Sequence, residues 1–345
     1  MKKFLYYIFL LVVFCTALAC YLLFSSATNF DSSKKQFVIE ANKTSREAVL
    51  ETLLDNKIIK YSFAIKMLGN QLNIWQKIKP GKYEVKRGEN IITIVRMLKN
   101  SSQMPVNLII NKLRTKEDFA KLIAKNFSTD SAKAMQYLCN NDSLQQFEVD
   151  TTTLFTTILP NTYTFYWNTS LTSMLHKLHE SNTKFWNNNN RLNKANSKGF
   201  SATQIYILAS IIEEETNHNS DRSLIASVYI NRLKIGMPLQ ACPTIKYAMK
   251  NFTLTRIYEK YLAYPSAYNT YKNKGLPPGP ICTPSPTCID IVLNAPATNY
   301  LYFVANANFD GYHHFSSTYQ EHNKYAKAYQ QALDIYTENK QNKEQ

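Results

Sequence analysis

The stretch Ile205–Tyr247 reads IYILASIIEEETNHNSDRSLIASVYINRLKIGMPLQACPTIKY, and the rest of the chain is organised around it. It begins as a helix. Ile205, Leu208, Ile211 and Ile212 recur at helical spacing with no proline or glycine among them, and a run of acids follows. At about 100° of rotation per residue, the apolar side chains centre near Leu208. Glu213 then falls roughly 140° and Glu214 about 120° from that centre, Glu214 toward solvent, whereas Glu215 falls within about 20° of it. A carboxyl on the apolar face is partly desolvated, which raises its pKa toward the range a general acid needs. The same pattern also fits a helix end fraying into water, and the wheel alone does not separate the two. Asp221–Arg222 opens a second helix with a broad apolar face at Leu224, Ala226, Val228, Ile230 and Leu233. Gly236 is placed to close that helix in a left-handed conformation. Pro238 and Pro243 predict an irregular, stiff segment over Met237–Tyr247. Two helices and such a loop can wall a groove with Glu215 on one side.

Further motifs follow in one order: SAYNTY (266–271), GLPPGPI (275–281), YLYFVA (300–305), HF (314–315) and EHN (321–323). Together with ASIIEEET, ASVYINRLKIGMPLQ and PTIKY they resemble the YceG-like family, the membrane-anchored endolytic murein transglycosylases. The resemblance runs from about residue 35 to about residue 335 and is most specific over 205–323. It implies that Glu215, the second acid of Glu-x-Glu-Thr, holds the place of the catalytic glutamate, with Glu213 as the fallback. It also implies substrate contacts from Asn231, Gln240, Tyr268, Asn269, Tyr271 and His314, and no cofactor. Tyr268, Asn269 and Tyr271 offer a glycan hydroxyl, amide and ring faces. The loop holding them is stiffened by Pro277, Pro278 and Pro280, and a rigid connector is the plainer reading of the same residues.

The implied reaction is a lytic transglycosylation, carried out by a carbon–oxygen lyase. One carboxylic acid protonates the β-1,4 bond between MurNAc and GlcNAc, and the sugar's own 6-hydroxyl closes to a 1,6-anhydro end. Glycosidases that use water need two carboxylates. The groove motifs show no obvious second one, although Asp221 and Asp310 leave a muramidase-type hydrolase open. The alternative from another class is a non-catalytic, cell-wall glycan-binding scaffold. Three departures from the family pattern stand out. Cys242 replaces an acid, Pro284-Ser285 replaces Pro-Gly, and Asn161 replaces Asp in the segment Ile158–Phe165. The first is the best support for the scaffold reading.

The fold class expected is α+β: an N-terminal transmembrane helix, a small LysM-like α+β subdomain and a larger mixed α/β catalytic domain. The divisions are 1–26 for a cytoplasmic tip and anchor, 27–36 for a polar tether and 37–104 for the LysM-like unit. The catalytic domain follows over 105–337 and a polar tail over 338–345. Phe4–Phe24 is a continuous apolar run without a charge, about the length that crosses a bilayer. Lys2 and Lys3 before it predict a cytoplasmic N-terminus and an extracytoplasmic remainder, on the inner membrane. Ala17-Leu18-Ala19-Cys20 loosely fits a lipoprotein cleavage site, but the apolar run continues past it. In 37–104, helices are predicted over 48–56, 61–68 and 91–98, and a strand over 82–85. A spacer is the plain alternative to a glycan-binding role. Farther on, the pattern predicts strands at 106–111 and 301–305 and helices over 115–127, 132–139, 171–190 and 320–336. A polar loop is expected over 188–198. Tyr163, Phe165, Tyr166 and Trp167 are read as core or as sugar-stacking rings.

The 345 residues carry a formal net charge of +15, spread along the chain rather than clustered in an arm or a basic helix. That favours an anionic membrane or wall polymer over nucleic acid. The partners expected are murein glycan strands, the membrane and, by family alone, penicillin-binding synthases. Cys139, Cys242, Cys282 and Cys288 lie outside the anchor, and a local Cys282–Cys288 bridge and free buried thiols are both open. A Cys242–His314–Asn323 protease site lacks an oxyanion device, and the histidines form no convincing metal-ligand set.

Overall fold

The structure is a computed structural model, and it describes residues 2–254 and 256–343. Met1 of the expected cytoplasmic tip and residues 344–345 of the expected tail lie outside the described residues. The chain is mixed α+β and divides into two compact units. The first comprises residues 1–108, 125–129 and 164–170, and the second comprises 109–124, 130–163 and 171–345.

Helix α1 (Lys2–Phe24) opens the first unit. It is the one helix among the described residues long and apolar enough to cross a membrane, by length and composition. Strand β1 (Lys34–Ile39) is followed by α2 (Arg46–Asp55), α3 (Phe63–Gln71), β2 (Gly81–Lys86) and α4 (Ile91–Lys99). Ser45 caps α2, and Asn90 caps α4 through Thr93 N–H, each satisfying an orphan amide of the first turn. β1 pairs antiparallel with β2, from Lys34 opposite Lys86 to Ile39 opposite Gly81. The core beneath the sheet includes Ile39, Val49, Leu53, Ile65, Tyr83 and Ile94, all buried. The segment expected as a free polar tether is instead bound into this unit. Ser26 bridges to Asn90 and Thr28 to Ile59, and Asn29 N–H donates to Ile58 O at 3.2 Å. Backbone groups that find partners on a folded edge do not stay loose, and no sequence pattern marks that edge.

β3 (Pro105–Ile110) pairs with β4 (Asn161–Tyr166), and between them lie α5 (Lys116–Asn126), α6 (Ser131–Leu138) and the short α7 (Asn141–Leu144). In β4 Tyr163 and Phe165 are buried and Tyr166 is exposed. Helix α8 (Leu171–Asn187) follows, then α9 (Arg191–Ser197), where the polar composition predicts a loop. The Arg191 guanidinium explains the helix. It donates to both oxygens of Asp290 at 2.7 and 2.8 Å and lies 3.8 Å over the Phe185 ring, a tertiary anchor that composition does not reveal.

The second unit is built on α10 (Ala202–Ile212), α11 (Asn219–Lys234) and α14 (Pro286–Leu293). Ser201 and Gln204 form a reciprocal capping box at the start of α10. Every residue from Ile205 to Ile212 is buried, because a helix apolar on all sides has no face to give to water. The predicted closure of α11 is present. Gly236 adopts φ 67°, its N–H reaches Leu233 O, and Met237 N–H reaches Arg232 O at 2.8 Å. Of the segment expected to be irregular, 237–241 is so, whereas the rest forms a helix, α12 (Cys242–Ala248), with Pro243 in its first turn. A proline there loses no hydrogen bond, since first-turn amides have no intrahelical partner.

After the four-residue α13 (Glu259–Leu262), the segment 275–281 packs onto α10. Ser210 Oγ accepts from Ile281 N–H at 3.0 Å. Gly279 admits no side chain, since a Cβ would stand 2.2 Å from the Thr152 carbonyl oxygen. Ser285, in place of the family glycine, caps α14 by accepting from Cys288 N–H. β5 (Tyr302–Ala305) and β6 (His313–Ser316) form an antiparallel hairpin, and α15 (Tyr319–Lys343) runs on through most of the expected tail. The cysteines are free, and Cys282 and Cys288 are buried against the Ser210 and Ala209 carbonyls.

Candidate active site

The three acids that end α10 have separate environments. The helix stops at Ile212, so Glu213–Glu215 lie on a turn and the projection of about 100° per residue no longer applies to them. Glu214, expected in solvent, is instead only 17% exposed and is held by Lys112 at 3.0 Å and Arg114 at 2.8 Å. Glu213 pairs with buried Arg222 at 3.1 Å and accepts from both N–H and Oγ of Ser285, at 3.2 and 2.8 Å. Both carboxylates are committed to tying segments together.

Glu215 opens into a cavity of about 280 Å³, whose wall also includes Arg232, Gln240, Cys242, Tyr271, Tyr302, Phe303, Tyr319 and His322. It is the one carboxylate on that wall among the described residues. Burial pushes its pKa up to about 7, against the Tyr229 hydroxyl, which donates to Oε1 at 2.5 Å and stabilises the charged form, and against the positive fields of Lys246 and Arg232. At neutral pH the group is therefore part acid and part base, as proton shuttling requires.

The pH dependence carries a direct prediction. Activity that needs protonated Glu215 should fall as pH rises through about 7. Tyr229→Phe removes a bond to the charged form and should move that alkaline limb upward. The kcat/KM profile of the two proteins checks this, and a limb that stays or moves down contradicts it.

The cavity wall is assembled from distant segments. Gln240 stands in the left-handed region at φ 53°, a position that costs a non-glycine residue about 1 kcal/mol. Its N–H donates to Thr270 O, and the neighbouring Ala241 N–H donates to Thr270 Oγ1, both at 3.0 Å. Cys242 and Tyr271 share a hydrogen bond at 3.1 Å, and burial pushes the Cys242 thiol above its ordinary value. A thiol held protonated is a poor nucleophile, and its bond goes to Tyr271. Arg232 is buried. Its Nε donates to Leu301 O and its Nη1 to Leu239 O, each at 2.7 Å. Arg191 and Arg222 have carboxylate partners, but Arg232 has none among the described residues. Its charge is left to act on the cavity. Its guanidinium lies 5.5 Å over Tyr302, and His322 stacks on the same ring at 5.3 Å. Burial and the Arg232 charge lower the His322 pKa, which keeps that ring neutral.

Of the residues expected to contact substrate, Gln240 and Tyr271 line this cavity with Glu215. Tyr268 lines a second cavity of about 320 Å³ and packs on Tyr247 at 4.7 Å. Asn269 is buried, with its amide donating to Leu262 O and Tyr264 O. Asn231 likewise donates to Thr298 O and Tyr300 O. His314 is exposed and stacks on Tyr325 at 4.2 Å. Asp221 is buried and bonded to His313 Nδ1 at 2.8 Å, and Asp310 binds Asn306, Asn308 and Tyr312 N–H within the hairpin turn. Neither acid lines the cavity. Tyr229, Arg232, Tyr302, Tyr319 and His322 were not singled out as site residues from the sequence. The i, i+3 spacing of Tyr229 and Arg232 puts both on one face of α11, a signal that core-like surroundings conceal.

The model of the YceG-like family matches residues 37–328. An endolytic murein transglycosylase of Bacillus subtilis is 44% identical over 129 residues, which is 37% of this chain and 35% of that protein. One from Streptococcus pneumoniae is 31% identical over 171 residues, 48% of this chain and 30% of that protein. The matches thus span about a third of the length of these relatives. The crystal structure of a yceG-like protein from Listeria monocytogenes aligns with 85% of this chain and 99% of its own, at 27% identity and a TM-score of 0.56.

Proposed function

The chain belongs to the YceG-like family, and from that premise we propose that it is a membrane-anchored, endolytic lytic transglycosylase of murein with Glu215 as its acid and base. The observation that carries this is the single carboxyl in the cavity, desolvated and held near pH 7 beside Tyr229. Glu215 gives its proton to the oxygen of the MurNAc–β-1,4–GlcNAc bond as that bond breaks. The resulting carboxylate is stabilised by the Tyr229 hydroxyl and by the Arg232 charge. It then takes the proton of the MurNAc 6-hydroxyl as that oxygen closes on C1. The product ends in 1,6-anhydro-MurNAc, no water is consumed, and Glu215 is returned to its protonated form. A glycosidase that uses water would need a second carboxylate. The absence of one from the cavity wall, among the described residues, favours the lytic route.

α1 serves as the anchor, with Lys2 and Lys3 on the cytoplasmic side and both units outside the inner membrane. The strand–helix–helix–strand order of β1, α2, α3 and β2 supports a LysM-like, glycan-binding role for the first unit. Such an enzyme would cut nascent strands and end their elongation beside penicillin-binding synthases. The test uses the purified full chain in detergent with uncrosslinked murein strands. Internal cuts that shorten strands throughout are the expected result. Strands that are retained on the protein but stay uncut would replace this reading with that of a glycan-binding scaffold.

A further inference from the structure

The first unit holds an arrangement that the catalytic reading does not use. α1 ends at Phe24, and pairing with the folded unit begins at Ser26, so one residue separates them. Ser25 N–H still donates to Tyr21 O, Ala27 N–H donates to Glu89 O, and Lys60 N–H donates to Ala27 O. The edge formed by residues 58–60 and 89–90 is therefore fixed at the level where α1 ends.

Beside that edge stand three large exposed side chains: Tyr61 at 76%, Phe63 at 69% and Met67 at 51% exposure. Phe63 and Met67 are one turn apart on α3 and share a face with Lys66. Exposed aromatics clustered in this way need a partner in a soluble setting. Here the cluster is continuous with α1. Tyr21 and Ser25 at the end of α1, with Ser26, and Lys60, Tyr61 and Phe63 help line a cleft of about 470 Å³. Its lining is mostly apolar, with Ser25, Ser26 and the Lys60 ammonium as the chief polar groups. Aromatic residues with adjacent lysines are the composition of the headgroup layer.

Resting on the reading of α1 as a membrane anchor, we propose that the first unit is seated directly on the bilayer surface. Tyr61, Phe63 and Met67 insert at headgroup level on the side where α1 emerges. A phospholipid of that leaflet fills the cleft between α1 and α3, with its phosphate at Lys60. The occupant is lipid rather than protein because the patch adjoins the membrane helix with no slack to lift it away.

The experiment uses the full chain with Cys15, Cys20, Cys139 and Cys242 changed to serine. It is reconstituted into vesicles of equal parts phosphatidylethanolamine and phosphatidylglycerol. Spin labels are placed singly at Phe63→Cys, Met67→Cys, Val13→Cys and Ala41→Cys. Ala41 follows the far end of β1, five residue steps or roughly 17 Å along the strand from the Lys34 end. Collision with oxygen and with an aqueous nickel complex is then measured. The labels at 63 and 67 should be several-fold less accessible to nickel than the label at 41, and that at 13 should be reached by oxygen alone. If 13 is shielded while 63 and 67 match 41, the seating is wrong and the anchor stands. If 13 is also open to nickel, the anchor reading fails as well. Spin–spin broadening between labels at 63 would mean that a second copy covers the face, and it would overturn the proposal.

Discussion

Replacing Glu215 by glutamine should lower murein strand cleavage by about 10²–10⁴-fold, the usual share of a general acid–base group. The same change should leave the protein at least as stable. Burial raises the folded-state pKa of Glu215 to about 7 from an ordinary 4.5. Between those values the folded chain holds a proton that the unfolded chain releases. Stability contributed by this group is thus full below about pH 4.5 and is lost as pH rises through about 7. Above that pH the wild type carries a buried charge that the glutamine variant lacks. The variant should then be the more stable by up to about 3 kcal/mol, with no difference at pH 4. Thermal unfolding at pH 4 and pH 8, run beside cleavage assays, checks both halves. A variant that cuts at the wild-type rate removes Glu215 from the chemistry. One that is inactive only because it has unfolded removes the argument from burial.

Glu213→Ala should behave in the opposite way, with a large loss of stability and a modest loss of activity. It strips Arg222 of its carboxylate in a site where both side chains are about nine-tenths buried, and it leaves the amide and hydroxyl of Ser285 without their acceptor. Breaking a buried pair by removing one partner costs about 3–5 kcal/mol. For a folded part of this size that is a fall in Tm of roughly 6–15 °C. At a temperature where the variant is folded, cleavage should stay within about tenfold of wild type, because Glu213 does not line the cavity. Adding Arg222→Leu should restore part of the stability, since the orphaned charge is then removed as well. A Glu213→Ala protein that is stable but inactive would move the acid–base role to Glu213.

Together the two variants separate residues that sit two positions apart in one motif. The idealised wheel set Glu213 and Glu214 away from the apolar face and Glu215 on it; in the structure Glu213 and Glu214 are both mostly buried in ion pairs, and Glu215 is buried beside a cavity. The wheel fails after Ile212 because the acids lie on a turn, and a turn's side chains follow tertiary partners such as Lys112 and Arg114. The apolar stretches were legible. α10, α11, α4 and the closing glycine of α11 follow from local pattern, since each depends on neighbours within a turn or two. α9 and α12 were not legible. The first rests on the Arg191–Asp290 pair, and the second rests on a proline that breaks helices elsewhere but starts this one. The far wall of the cavity was also hidden. Arg232 meets Tyr302 70 residues further on, and His322 stacks on that same ring from another 20 residues along, and such contacts leave no spacing to read.

In the proposed reaction one carboxyl group and the sugar's own hydroxyl do the work of two carboxylates and water. Cleavage carried out in ¹⁸O-water, with the new ends read by mass spectrometry, separates this route from hydrolysis. The expected ends are 1,6-anhydro-MurNAc and carry no ¹⁸O. Reducing MurNAc ends labelled with ¹⁸O would contradict it and would require a second catalytic carboxylate.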